Sequence, residues 1–236
     1  MFRRLLFYCI AVFLWGLLFI LIKTTFVLMV RMFSNEATGN CFIWMIAFFA
    51  GFIFWFLIYS SSSKLLKSYV LSHELTHLLW ALVMGSSVKK IKVGTTQGRV
   101  VLDEVNPFIA LAPYFFPFYT IVLLAMYAVL LLFWDYSWLH ILFALCFGLT
   151  LAYHYTFTFK SLYEGQSDVK VYGRFFSYAL IFCMNIVVIN VFLLAFTSLT
   201  FLNFANEFNV SINWFANKAI WLGDCITKLF MNHLTR

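Results

Sequence analysis

Polar residues are too sparse along this chain to give its long segments a water-facing side. Runs such as "LLFYCIAVFLWGLLFILI" and "FIALAPYFFPFYTIVLLAMYAVLLLFW" are apolar all round instead of at a helical or strand period, which is the pattern of segments embedded in lipid. Crossing a bilayer takes roughly 20 apolar residues. Six stretches approach or exceed that length, near 5–31, 41–59, 65–84, 108–133, 137–159 and 172–200, with short connections between them. The pattern predicts an all-α, multi-pass integral membrane protein with about six transmembrane helices, in a single membrane domain over 1–236. Two N-terminal helices occupy 1–60, a core occupies 65–200, and an amphipathic tail occupies 204–236. In the tail, the pairs Trp214/Phe215, Trp221/Leu222 and Leu229/Phe230 alternate with Lys218, Asp224 and Lys228 at helical spacing, which fits a helix lying in the membrane interface.

One connection changes texture. In "VKKIKVGTTQGRVVLDE", β-branched runs at 88–93 and 99–103 flank a Gly-rich turn at 94–98, the signature of a short membrane-associated β-hairpin. Packed on the helices, such a hairpin presents an edge to which an extended peptide can add by backbone hydrogen bonding, with Val88, Ile91, Val93, Val100 and Leu102 as the pairing residues. The competing reading is an ordinary solvent-exposed connection. The segment that follows, "NPFIALAPYFFPFY", concentrates Pro107, Pro113 and Pro117. Pro107 suits a helix start, whereas Pro113 and Pro117 should kink or open the helix and release backbone carbonyls. Irregular backbone at membrane depth needs protein or a water-filled cavity around it, so a cavity is expected nearby.

Composition sharpens the class. With 64% hydrophobic and 11% charged residues among 236, no sizeable water-soluble domain remains once the apolar segments are removed. The net charge of +7 comes from Lys and Arg scattered through short connections, a distribution suited to anionic lipid headgroups and not to nucleic acid. These residues divide almost evenly between the two sides, with Lys23 left inside the first helix, so charge does not choose an orientation. Cys9, Cys41, Cys146, Cys183 and Cys225 show no CxxC spacing, which argues against a disulfide framework or a thiolate zinc site. The basic start and long apolar run of the N-terminus read as a retained anchor, since a cleaved signal would be shorter.

Against this background "SHELTHLLW" at 72–80 stands out. On a helix, His73 and His77 share a face and can direct imidazole nitrogens at a single ion, with Glu74 beside them. This is the HExxH arrangement. Zinc held by two imidazoles and a third ligand keeps a position for water and polarises a carbonyl, while a glutamate takes the proton and delivers it to the leaving amine. Ionisable residues in apolar helices usually mark a pathway or site; the rival structural role is a polar cluster that holds helices together. A third ligand must come from elsewhere: Asp168 in "YEGQSDVKVYG", His154 in "LAYHYTFTF", His140, Asp135, or Asp103 and Glu104 of the hairpin. Asp168 precedes the sixth helix, where a carboxylate is favoured and can turn inward; its plain alternative is a helix cap. His154 is a ligand, a partner to a ligand, or a satisfied core histidine, and His140 reads as interfacial.

HExxH within an apolar helix, then a short hairpin, a Pro-rich helix and a later aspartate at a helix start resembles the site-2 protease family of intramembrane zinc metalloproteases. The segments "HELTHLLWALVMGSSVKKIKVG", "NPFIALAPYFFP" and "GQSDVKVYG" resemble its small bacterial members over about 65–185. The resemblance implies zinc held by His73, His77 and Asp168, with Glu74 as general base. It also implies a transmembrane protein substrate, locally unwound and paired with the hairpin edge, and a place in the bacterial cytoplasmic membrane. Many members carry the ligand aspartate in an Asn/Pro-rich stretch ending Leu-Asp-Gly; here it would stand in Gln166-Ser167-Asp168. The expected function is intramembrane zinc metalloendopeptidase. The alternatives are a proteolytically inactive protease-like scaffold and a metal-binding or transport protein; oligomeric state has no sequence signal.

Overall fold

The computed structural model describes residues 2–34, 39–61, 65–93, 98–197 and 199–234. Helices account for most of them: α1 (Phe2–Ser34), α2 (Gly39–Ser61), α3 (Leu65–Val83), α4 (Pro107–Phe115), α5 (Phe118–Leu131), α6 (Ser137–Glu164), α7 (Ser167–Val171), α8 (Arg174–Phe196) and α9 (Phe201–Leu234). Four of these, α1, α2, α6 and α8, are long and apolar enough to cross a membrane, and α4 with α5 makes a fifth if the bent pair is one span. The all-α membrane class therefore holds. The sixth crossing expected over 65–84 corresponds to α3, which is not among these helices. Its Ser68, Ser72, His73, Glu74, Thr76 and His77 dilute its apolar character, and burial by its neighbours lets such a polar helix exist.

The remaining regular structure is a two-stranded antiparallel ladder, β1 (Val88–Val93) with β2 (Gly98–Leu102), irregular between Val88 and Lys90 and packed on α3. Residues 94–97, expected as the turn, lie outside the described residues, as do the side chains of Val88, Ile91, Val93, Val100 and Leu102. Ser86 ties the base of the ladder together by donating to the Glu104 carbonyl at 2.8 Å.

The helix expected at 108–133 is broken. Asn106 caps α4 by accepting from the Ile109 N–H at 2.9 Å, and Pro107 occupies the first turn, where its missing N–H costs nothing. Pro117 then supplies no N–H, α4 stops at Phe115, and α5 departs at 74°. Two glycines in the left-handed region, Gly165 (φ 72) and Gly173 (φ 87), bracket α7. Both positions favour glycine because a Cβ is strained there, and together they let the chain reverse between α6 and α8 with one short helical turn in the bend. Ser177 of α8 donates to the Val169 carbonyl at 2.9 Å, and the Tyr172 hydroxyl donates to the Val105 carbonyl at 2.5 Å. Those bonds fix α7 against α8 and the start of α4.

The helices pack by two devices. Where α2 meets α6, a Cβ on Gly51 would overlap the carbonyl of Leu145 and a Cβ on Gly148 would overlap that of Phe48. Together with buried Ala47 and Ala152, these glycines give each helix a small-xxx-small stripe that lets the two backbones touch. On the other side α1 packs against α8 and α9, and polar groups complete the contact. Arg31 pairs with buried Glu207 at 2.5 Å, Asn190 donates to Thr25 at 2.7 Å, and Lys23 reaches Ser211 at 3.4 Å and the face of Trp214 at 5.6 Å. Lys23, isolated in the sequence, thus faces the first half of α9, whereas from 216 to 228 α9 is almost wholly exposed, and the side chains of Leu229 and Phe230 lie outside the described residues.

The glycine seam generates a test. Gly148→Ala should lower thermal stability in detergent by about 1–3 kcal/mol through overpacking. Gly223→Ala, whose Cβ meets nothing within 4 Å, should be neutral or slightly stabilising, since alanine is the better helix former. Equal melting behaviour of the two variants would contradict the close α2–α6 contact.

Candidate metal centre

The i, i+4 spacing on α3 brings the rings of His73 and His77 together, with their Nε2 atoms 3.2 Å apart. The reversal through α7 carries Asp168 back to them, and its Oδ2 lies 3.4 Å from the Nε2 of His73 and 3.7 Å from that of His77. Among the described residues these are the His, Cys, Asp or Glu side chains that converge as a possible metal site, their ligand atoms all within 4.8 Å of one another. The other third-ligand candidates are engaged or placed elsewhere. His140 contacts Asp135 at 2.8 Å and Tyr127 at 2.6 Å near the α5–α6 connection. Asp103 pairs with Lys89, and Glu104 is exposed beside the ladder. His154 is buried on α6 and lines a small cavity with His73, outside the converging set.

Each member of the triad is held from behind. The Nδ1 of His77 donates to the Ile109 carbonyl at 2.8 Å. That carbonyl is free because its helical donor would be the N–H of residue 113, and Pro113 has none. The Nδ1 of His73 lies 3.3 Å from the Tyr69 hydroxyl, which in turn contacts Ser161 of α6 at 2.5 Å. Tyr114 donates to Asp168 Oδ2 at 3.0 Å, and the Ser167 hydroxyl lies 3.3 Å from Oδ1. Burial works against ionisation of Asp168, but His73 and His77, when their rings carry a proton toward it, outweigh it and hold the carboxyl well below the usual carboxylate range.

The donor set suits a small divalent cation. A tetrahedral ion with bonds of about 2.0–2.1 Å needs ligand atoms about 3.3–3.4 Å apart, close to the three separations above. Charge points the same way. With a proton on Nδ1 for Ile109, a neutral His77 presents an Nε2 lone pair to the Asp168 carboxylate, and two facing lone pairs repel unless a cation or a proton lies between them. Three protein ligands would leave one tetrahedral position open. Glu74, the next residue along from His73, is buried and within electrostatic reach of His77, Tyr69 and Tyr114.

Sequence reasoning named the triad and Glu74 but missed the groups behind them. Tyr69 was within reach of the same logic, since it sits four residues before His73 and shares its face. The Ile109 carbonyl was half visible, because a proline at 113 announces a freed carbonyl at 109 without saying what will use it. Tyr114 and Ser161 carry no local signal; their role exists only once α4 and α6 are packed. No protein-family model, curated protein or solved structure matches the chain.

Proposed function

We propose that the chain is an intramembrane zinc metalloendopeptidase of the site-2-protease type. The observation that carries this reading is the convergence of His73, His77 and Asp168 beside a buried Glu74, in a protein built mainly of apolar helices. His73, His77 and Asp168 would hold zinc, which when bound supplies Lewis-acid polarisation of a scissile carbonyl and activation of water. Glu74 takes the water's proton and returns it to the leaving amine. Ile109 and Tyr69 hold the imidazoles in orientation, and Tyr114 fixes the carboxylate oxygen that faces them.

The substrate in this reading is a transmembrane protein segment, unwound near the centre and paired with the outer edge of the β1–β2 ladder. The edge residues would be Val88, Ile91, Val93, Val100 and Leu102, and strand addition supplies affinity through the backbone. The ladder then lies at the membrane surface, α3 contributes a sixth, partly sheltered crossing, and the exposed half of α9 lies in the interface. The bacterial cytoplasmic membrane is the setting that the family resemblance favours. A scaffold with a structural metal would use the same ligands, but it would have no use for a glutamate next to His73; a transport path would spread its polar groups over more helices.

Metal analysis of the purified protein separates ligands from neighbours. Asp168→Ala should lose most of the zinc, His154→Ala should keep it, and Tyr114→Phe should weaken affinity about 10–100-fold; full zinc in Asp168→Ala would remove Asp168 from the site. Cleavage of a membrane-embedded substrate tests the chemistry. Glu74→Gln should retain zinc and lose hydrolysis by at least about 10²-fold, and undiminished cleavage would exclude Glu74 as the base.

A further inference from the structure

Two cations converge on the reversal that carries Asp168. Gly165 closes α6 in the left-handed region, and a Cβ built on it would stand 3.8 Å from the Nη2 of Arg174 and 3.9 Å from the Nζ of Lys170. Both side chains therefore reach one point over the glycine, where a single anion can touch both. Like charges gather in this way at a cost unless an anion lies between them. Among the described residues neither cation has an ion pair or a side-chain hydrogen bond. The carboxylates nearest in sequence are engaged elsewhere, Glu164 with Lys160 at 4.0 Å and Asp168 with His73, His77 and Tyr114. Helix α8 starts at Arg174 with no side-chain cap and no acidic residue in its first turn, so its free N–H groups add to the positive potential.

The location names the anion. Helix α6 ends at Glu164 and α8 begins at Arg174, both long and apolar enough to cross a membrane, so the reversal between them lies at the edge of the hydrocarbon, where lipid phosphates are. Helix α1 runs parallel to α8, since Phe7 packs on Phe176 and Trp15 on Phe182 further along both, and it brings Arg3 and Arg4 to the same edge. Val171 and Phe175, next to the two cations in sequence, are 67% and 44% exposed, apolar surface that an acyl chain can cover. We propose that Lys170 and Arg174 hold the phosphate of an anionic lipid headgroup, and that this phosphate ties the short helix carrying Asp168 to the start of α8. Lys170 belongs to α7 and Arg174 to α8, with Gly173 as a pliant joint between them. The bridge restrains that joint and steadies Asp168 against the histidines. Its effect on zinc rests on the proposed metal centre; the headgroup site does not.

The test titrates the full-length, detergent-solubilised protein with phosphatidylglycerol or phosphatidylcholine and counts bound lipid by native mass spectrometry. The wild type should bind phosphatidylglycerol in preference to phosphatidylcholine. The double variant Lys170→Gln with Arg174→Gln should bind its tightest phosphatidylglycerol about 30-fold more weakly, whereas Lys218→Gln with Lys228→Gln, on the exposed half of α9, should keep it. Equal affinity in the wild type and the first double variant overturns the site, and competition by inorganic phosphate at equal concentration overturns the lipid as its occupant. Zinc titration in nanodiscs supplies the second arm. Phosphatidylglycerol should raise zinc affinity in the wild type over phosphatidylcholine alone and leave that of the Lys170→Gln, Arg174→Gln variant unchanged; a wild-type zinc affinity indifferent to the lipid overturns the tie to Asp168. A protein that binds phosphatidylglycerol through these residues and takes up no zinc would sink the metalloprotease reading and leave the headgroup site standing.

Discussion

The candidate centre depends on a hydrogen bond that a helix was prevented from making. Pro113 has no N–H to offer Ile109, so the Ile109 carbonyl turns to the Nδ1 of His77 at 2.8 Å. In a low-dielectric interior an unpaired carbonyl is costly, and the imidazole removes that cost while its own tautomer is set. The proton goes to Nδ1 and the lone pair to Nε2, which then points at His73 and Asp168. The same residue bends the chain: with Pro113 and Pro117 together, α4 cannot continue into α5, and the break opens the space next to His73. A defect in the helix thus orients His77 and opens a small cavity beside His73.

Placing Asp168 is a problem of longer range. It sits in a five-residue helix between two glycines of positive φ, and the Tyr172 and Ser177 bonds hold that helix to α4 and α8. The larger frame is set by close packing. The Gly51–Gly148 crossing draws α2 onto α6, so that Trp55, Tyr153 and Phe157 form one buried cluster. That cluster supports Tyr69, whose ring stacks on Phe157 at 4.6 Å between centroids, and Tyr69 backs His73. Stability of the bundle and geometry of the site therefore run through the same aromatic contacts.

How much of this was legible depends on how local the signal is. The His73–His77 face follows from helix period alone, and Gly165 and Gly173 mark a reversal around Asp168 that sequence could suggest as a candidate only. Choosing Asp168 over His154 required knowing which side of α3 each approaches, and nothing in the chain order says so. Length and apolar content mark four helices, or five with the bent pair, as crossings, and the 65–84 segment differs from them because α3 carries polar groups that it turns toward neighbouring helices. Lys23 was unexplained in the sequence because its partners, Ser211 and Trp214, belong to a helix almost two hundred residues away.

His73, His77 and Asp168 are proposed to share a single zinc ion. X-ray absorption at the zinc edge of the purified, zinc-loaded protein measures that coordination directly. Two imidazole nitrogens at about 2.0–2.1 Å with oxygen ligands completing a four-coordinate shell is the predicted result. A shell containing sulfur, a third imidazole, or fully hydrated zinc without imidazole scattering would contradict it.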